Sequence, residues 1–157
     1  EKPYVISVNF VDAKYRMDAC FVSNHKRMDN INREIRSLKQ IQIILTSNIS
    51  AGSREGFLYV DYDRYTNQDK MISDNAGLML LKLLLRCGAK EIYLAGFDGF
   101  HRRHNGNYYS EELNFKVDGE EAQEKQKRIR RQLKELSEEM KITFITPSVY
   151  EQEESHV

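Results

Sequence analysis

A chain of 157 residues suffices for one domain with its own core and is short for two. Its 24 Lys and Arg balance 24 Asp and Glu, giving a formal net charge of zero, so it lacks the basic excess of a bulk nucleic-acid binder. Two prolines and eight glycines favour regular elements over disorder. No apolar run reaches the roughly 18 residues of a membrane span; the longest, 76–85, is interrupted by Lys82. No signal-peptide pattern opens the chain. Cys20 and Cys87 are too few for a disulfide framework and sit in no metal-ligand spacing, as expected of two reduced thiols in a cytoplasmic protein. The chain begins Glu1-Lys2-Pro3 without Met, as a piece cut from something longer would.

In chain order, Tyr4-Val5-Ile6-Ser7-Val8-Asn9 reads as a buried strand ending in a polar residue. Met28, Ile31, Ile35 and Leu38 recur at helical spacing after a second such run, Ala19-Cys20-Phe21-Val22-Ser23-Asn24. Residues 41–45 give a third strand, followed by Thr46-Ser47-Asn48, and 57–60 a weaker candidate. Residues 74–86 are apolar almost all round, which predicts a helix buried on more than one side, ended by Cys87-Gly88. Residues 91–95 form the next strand, ending at Gly96 and Asp98. Asp118 and Glu121 form a capping box for a last helix, whose stripe is Ile129, Leu133, Leu136 and Met140. Residues 142–145 close the series, followed by Thr146-Pro147-Ser148. Short apolar strands alternating with helices predict an α/β fold with a mostly parallel sheet of five or six strands and helices on both faces. Residues 1–150 make a single domain and 151–157 a tail.

Open α/β sheets bind ligands beyond the carboxyl ends of their strands, near the point where strand order reverses. Asn9, Asn24, Ser47 with Asn48, and Asp98 all fall at such ends, and an Asn side chain both donates and accepts, as reading a base or ribose requires. The same residues also favour turns after strands, so a shared site and ordinary turns are both open readings. Ser73-Asp74-Asn75 opens the apolar helix, either as a plain N-cap or as an anion seat. Between residues 97 and 117 little periodicity remains, a length that in a compact domain marks a functional loop. His101, Arg102, Arg103 and His104 cluster in it: the arginines suit a phosphate, either histidine could act as a base, and a metal would lack a third ligand. The loop reads as a lid. The sequence has no GxGxxG, no Walker-type loop and no GxSxG elbow.

Residues 72–150 resemble the C-terminal half of the small bacterial sialyltransferases, which are Rossmann-like. The likeness rests on the serine-led turn into the apolar helix, on Gly88-Ala89-Lys90-Glu91-Ile92-Tyr93-Leu94-Ala95-Gly96-Phe97-Asp98, on the Asn/Gly/Tyr loop and on the final Ile-Thr-Pro-Ser strand. Archaeal 6-hydroxymethylpterin diphosphokinases look like more distant relatives. Over nearly the whole chain, Pro3 to Phe10, Asp18 with Phe21-Val22-Ser23-Asn24-His25-Lys26-Arg27, Thr46-Ser47-Asn48, Asp74-Asn75 and Ala95-Gly96-Phe97-Asp98-Gly99-Phe100 look like another module. This is the C-terminal domain attached to bacterial metal-dependent TIM-barrel aldolases of the 4-hydroxy-2-oxovalerate aldolase type.

The resemblance implies a Rossmann-like three-layer sandwich and an accessory role beside a covalently attached barrel. The barrel, absent from these residues, would hold the divalent metal, and this chain would hold no cofactor. Asn9, Asn24, Ser73 and Asp98 match positions that surround the nucleotide donor in the sialyltransferases. The expected ligand is therefore a nucleotide or another phosphorylated small molecule. Asn9, Asn24 and Ser47 would line its base or ribose, Ser73, Asp74 and Asn75 would offer helix-start donors, Asp98 would accept from hydroxyls, and Arg102 and Arg103 would close over phosphate. The sialyltransferase histidine would fall within residues 110–119, which contain none, leaving only His101 and His104 as catalytic candidates. The family's phosphate loop also has no counterpart, and would lie just before Glu1. A nucleotide-dependent transferase is the first alternative. The second is a docking or oligomerisation module that binds nothing, with Phe97, Phe100 and Phe115 as its apolar patch.

Overall fold

A computed structural model describes residues 2–34, 41–50, 56–99 and 119–151. All six apolar runs form strands: β1 (Ile6–Val8), β2 (Ala19–Val22), β3 (Gln42–Thr46), β4 (Phe57–Val60), β5 (Glu91–Leu94) and β6 (Lys141–Phe144). The helices are α1 (Met28–Glu34), α2 (Tyr62–Tyr65), α3 (Ala76–Arg86) and α4 (Gly119–Ser137). Every pairing among the described strands is parallel, so the chain is an α/β protein of the kind the alternation predicts. One expectation is corrected. The strands form a four-stranded sheet, β1-β2-β3-β4, and a two-stranded sheet, β5-β6, where the sequence suggested one sheet of five or six. Apolar runs specify strands, but which strand pairs with which is decided by backbone hydrogen bonds between distant segments.

The chain divides into two compact units, one of residues 1–68 with 73–80, the other of residues 69–72 with 81–157. In the first, β2 is buried at all four positions. Neighbouring strand residues point to opposite faces, so both faces of the sheet are covered there. Register places Cys20 beside Ile43 and Val22 beside Leu45. These four share one face and form a core with Met28 and Ile31 of α1, Val11 and Ile49. The predicted helical positions Ile35 and Leu38 lie outside the described residues. β4 is the outer strand, and its Leu58 and Tyr59 are 53% and 49% exposed, which is why its pattern was the weakest of the six.

In the second unit α4 buries Ala122, Ile129, Leu133 and Leu136, and Met140 is buried just past its end, as the stripe predicts. Asp118, the predicted cap, lies outside the described residues. α3 begins in the first unit and ends in the second. Leu78, Met79, Leu80 and Leu81 are consecutive and all buried, so it is enclosed on all sides. It ends in a Schellman motif: Ala89 N–H donates to Leu84 O at 3.0 Å, and Gly88 N–H to Leu85 O at 2.9 Å. Cys20 is buried, Cys87 is exposed, and both are free thiols. No helix among the described residues is long and apolar enough to cross a membrane.

Candidate ligand site

Parallel strands end together, so each sheet presents its strand-terminal residues along one edge. On the first sheet these are Asn9, Ser23 with Asn24, Thr46 to Asn48, and Asp61. Strand order there runs 1-2-3-4 without reversal, so the four strands contain no switch point of their own. Asn9 adopts φ 56°, its N–H donates to Phe21 O at 2.8 Å, and its Oδ1 accepts from Ser23 N–H at 3.0 Å. Asn9 thereby ties the end of β1 to the end of β2. Thr46, fully buried, donates through Oγ1 to Asn48 Oδ1 at 2.5 Å and lies 3.3 Å from Val22 O. Asn48 Nδ2 donates to Ser23 O at 3.3 Å. The edges of β2 and β3 are tied in the same way.

Asn24 caps the short helical turn before α1, its Oδ1 accepting from Lys26 N–H at 2.9 Å. Ser47 Oγ accepts from Tyr62 N–H at 3.0 Å, anchoring the start of α2 to the end of β3. Asn75 caps α3, its Oδ1 accepting from Leu78 N–H at 3.0 Å. Ser73 O accepts from both the backbone N–H and, at 3.5 Å, Nδ2 of buried Asn67. Burial first, then the negative charges of Asp74 and Asp63, raise the Tyr62 phenol above its ordinary range. Asp74 itself is exposed and directly precedes the Asn75 cap. The first unit thus uses the oxygens of Asn9, Asn24, Ser47 and Asn75 to join its own strand ends and cap its helices.

The second sheet differs. Beyond β5 and β6 lies a recess of about 460 Å³ lined by Gly96, Asp98, Thr146, Pro147, Ser148 and Val149. Thr146 Oγ1 accepts from Gly96 N–H at 2.9 Å and donates to Asp98 Oδ1 at 3.3 Å. Ser148 Oγ donates to Phe97 O at 2.6 Å and accepts from Tyr150 N–H at 3.2 Å. Val149 N–H donates to Asp98 O at 3.2 Å, and Arg130 of α4 donates to Val149 O. The Phe97 ring meets the buried Tyr150 ring edge-on at 5.5 Å. Phe97 is therefore half-buried packing and not an exposed member of the apolar patch expected of Phe97, Phe100 and Phe115; Phe100 and Phe115 lie outside the described residues. These contacts fix the two strand-end loops against each other while the Asp98 carboxylate stays exposed.

Of the residues expected to bind ligand, Asp98 lines the recess. Asn9, Asn24, Ser47, Ser73, Asp74 and Asn75 belong to the first unit. His101, Arg102, Arg103 and His104 lie outside the described residues, as does residue 97–117 loop beyond Gly99. Thr146, Ser148 and Gly96 are recess residues that the reading of the sequence did not select. The signal was present: Thr146-Pro147-Ser148 follows a strand as Asn9 and Asn24 do. No cluster of His, Cys, Asp and Glu able to hold a metal occurs among the described residues. Comparison with known protein families, with curated proteins and with solved structures finds no match for this chain.

Proposed function

We propose that this chain is an accessory ligand-binding domain that binds a nucleotide or another phosphorylated small molecule at the carboxyl ends of its strands, attached in its parent protein to a metal-dependent aldolase barrel. The attachment rests on the sequence resemblance. The binding reading is carried by one observation: Asp98, at the end of a parallel strand, is held by Thr146 in a recess of about 460 Å³ and keeps an exposed carboxylate. Small-molecule sites favour such concave, mostly apolar places with a few fixed polar groups. The alternative of a nucleotide-dependent transferase rests on His101 and His104, and no observation on the described residues favours it.

Calorimetric titration of the chain with CMP, CTP, ADP, ATP and GTP tests the proposal. One of them is expected to bind saturably, and Asp98→Ala to weaken it at least tenfold with the far-ultraviolet circular dichroism unchanged. Silence across the panel would leave the domain as a docking module, a role for which exposed Tyr93 and Ile145 offer surface. Binding unaffected by Asp98→Ala would move the site away from this recess.

A further inference from the structure

We infer that Arg130 of α4 is a positioning residue for the proposed ligand site, acting through Val149 to set where the Asp98 carboxylate stands. The inference rests on the binding reading above and adds to it a residue that no strand end supplies. Three contacts carry it, and all three meet at Val149. The Arg130 guanidinium donates from Nη2 to the Val149 carbonyl. Val149 N–H donates to the Asp98 carbonyl at 3.2 Å. The Val149 side chain lies so close to Gly99 that a Cβ there would meet its Cγ2. Asp98 and its neighbour Gly99 are thus both held against one residue, and that residue is held in turn from α4.

What stands behind each partner gives the contacts their direction. Asp98 and Val149 belong to strand-end loops, and a loop is placed by the rigid elements that anchor it. α4 is a helix of 19 residues whose Ile129 and Leu133 are 2% and 5% exposed, so core packing fixes its backbone. Arg130 follows Ile129 directly, is itself exposed, and carries the rigidity of the buried helix across to the loops. Its donor is charged and its acceptor is a carbonyl, a stronger pairing than two neutral groups make. A binding site needs its polar groups held to within about 0.5 Å, which loops gain by being tied to such an element. Arg131, the next residue, is turned to a different partner: its Nε bonds Glu135 within the helix at 3.1 Å. The two arginines carry the same charge on the same helix, and Arg130 is the one bonded to the recess loop.

The test titrates CMP, CTP, ADP, ATP and GTP calorimetrically against the unaltered chain and against Arg130→Met, Arg130→Lys and Arg131→Met. The nucleotide that binds the unaltered chain is expected to bind Arg130→Met about tenfold more weakly. Arg130→Lys, which keeps a charged donor, should fall between the two, and Arg131→Met should bind as the unaltered chain does. A measurement without ligand accompanies the titration. The Val149 amide is expected to exchange its hydrogen faster in Arg130→Met, with exchange of the Leu133 amide in α4 and the urea midpoint little changed. Unaltered affinity in Arg130→Met, or unaltered exchange at Val149, would overturn the inference and leave the nucleotide reading standing. Equal weakening by Arg131→Met would also overturn it, because lost charge and not lost position would then be the cause. No binding by the unaltered chain would remove the binding reading and this inference with it.

Discussion

A Cβ on Gly99 would collide with Cγ2 of Val149, and Gly99 holds φ at +89°, where side chains are rarely tolerated. Gly99 and Val149 belong to the two loops that enclose the recess beyond β5 and β6, and Val149 N–H bonds the carbonyl of neighbouring Asp98. The close approach of these loops therefore depends on a residue with no side chain.

Gly99→Ala is expected to cost about 2–5 kcal/mol, the sum of left-handed strain and forced overpacking. Gly88 supplies the control: its φ is +88° and nothing lies within 4 Å of the Cβ position, so Gly88→Ala should cost only about 1–2 kcal/mol. Urea unfolding of both variants checks the ordering. Equal costs would show that the Val149 contact relaxes freely.

At Asn9 the side chain and the backbone conformation serve the same junction. Asn9→Gly keeps the left-handed φ but leaves the buried Ser23 N–H without its acceptor, a loss of about 1–3 kcal/mol. Asn9→Ala loses the bond and adds strain, so it should be worse than Gly by about 1 kcal/mol. Denaturant midpoints of the two variants give the comparison. An alanine variant as stable as the glycine variant would rule out a contribution from the backbone conformation.

Arg128 Nη1 lies 2.8 and 2.7 Å from the two oxygens of Asp69, while its Nε bonds Glu124 at 2.9 Å. The Arg128 guanidinium, with a smaller contribution from Met71 N–H, holds the Asp69 carboxyl below its ordinary range. A folded-state pKa below the unfolded one adds stability that is present above the unfolded value, about 4, and is lost as pH falls through the folded value. Arg128→Met should therefore lower the urea midpoint at about pH 7, and the deficit should shrink as pH falls through the lowered folded-state value of Asp69. The groups are partly exposed, so high salt should shrink the difference. A variant whose deficit persisted unchanged at the acid end would point to lost packing of the arginine stem instead.

Much of the architecture was legible in the residues because burial leaves a one-dimensional trace. The continuous apolar run of β2 announced a strand covered on both faces, and Ile129, Leu133 and Leu136 announced the inward stripe of α4. Gly88 announced the end of α3 because only a left-handed residue closes that turn cheaply. The short α2 was not legible, since Tyr62 to Tyr65 is too brief to show a period and is held by Asp61 capping and by Ser47.

The candidate site was legible only in outline. A polar residue after a strand reads the same whether it binds a ligand or bonds its neighbour, and partners 14 to 51 residues apart decide between the two. The sequence by itself determined which segments are strands and helices and which residues stand at strand ends, because periodicity and turn chemistry are local. Only the tertiary structure decided that Asn9 and Ser47 tie their own strand ends to other elements, while Asp98, steadied by Thr146, keeps a carboxylate facing a recess. That distinction comes from hydrogen bonds between segments far apart in the chain, which no local pattern encodes, whereas Asn24 and Asn75 cap through partners two and three residues on.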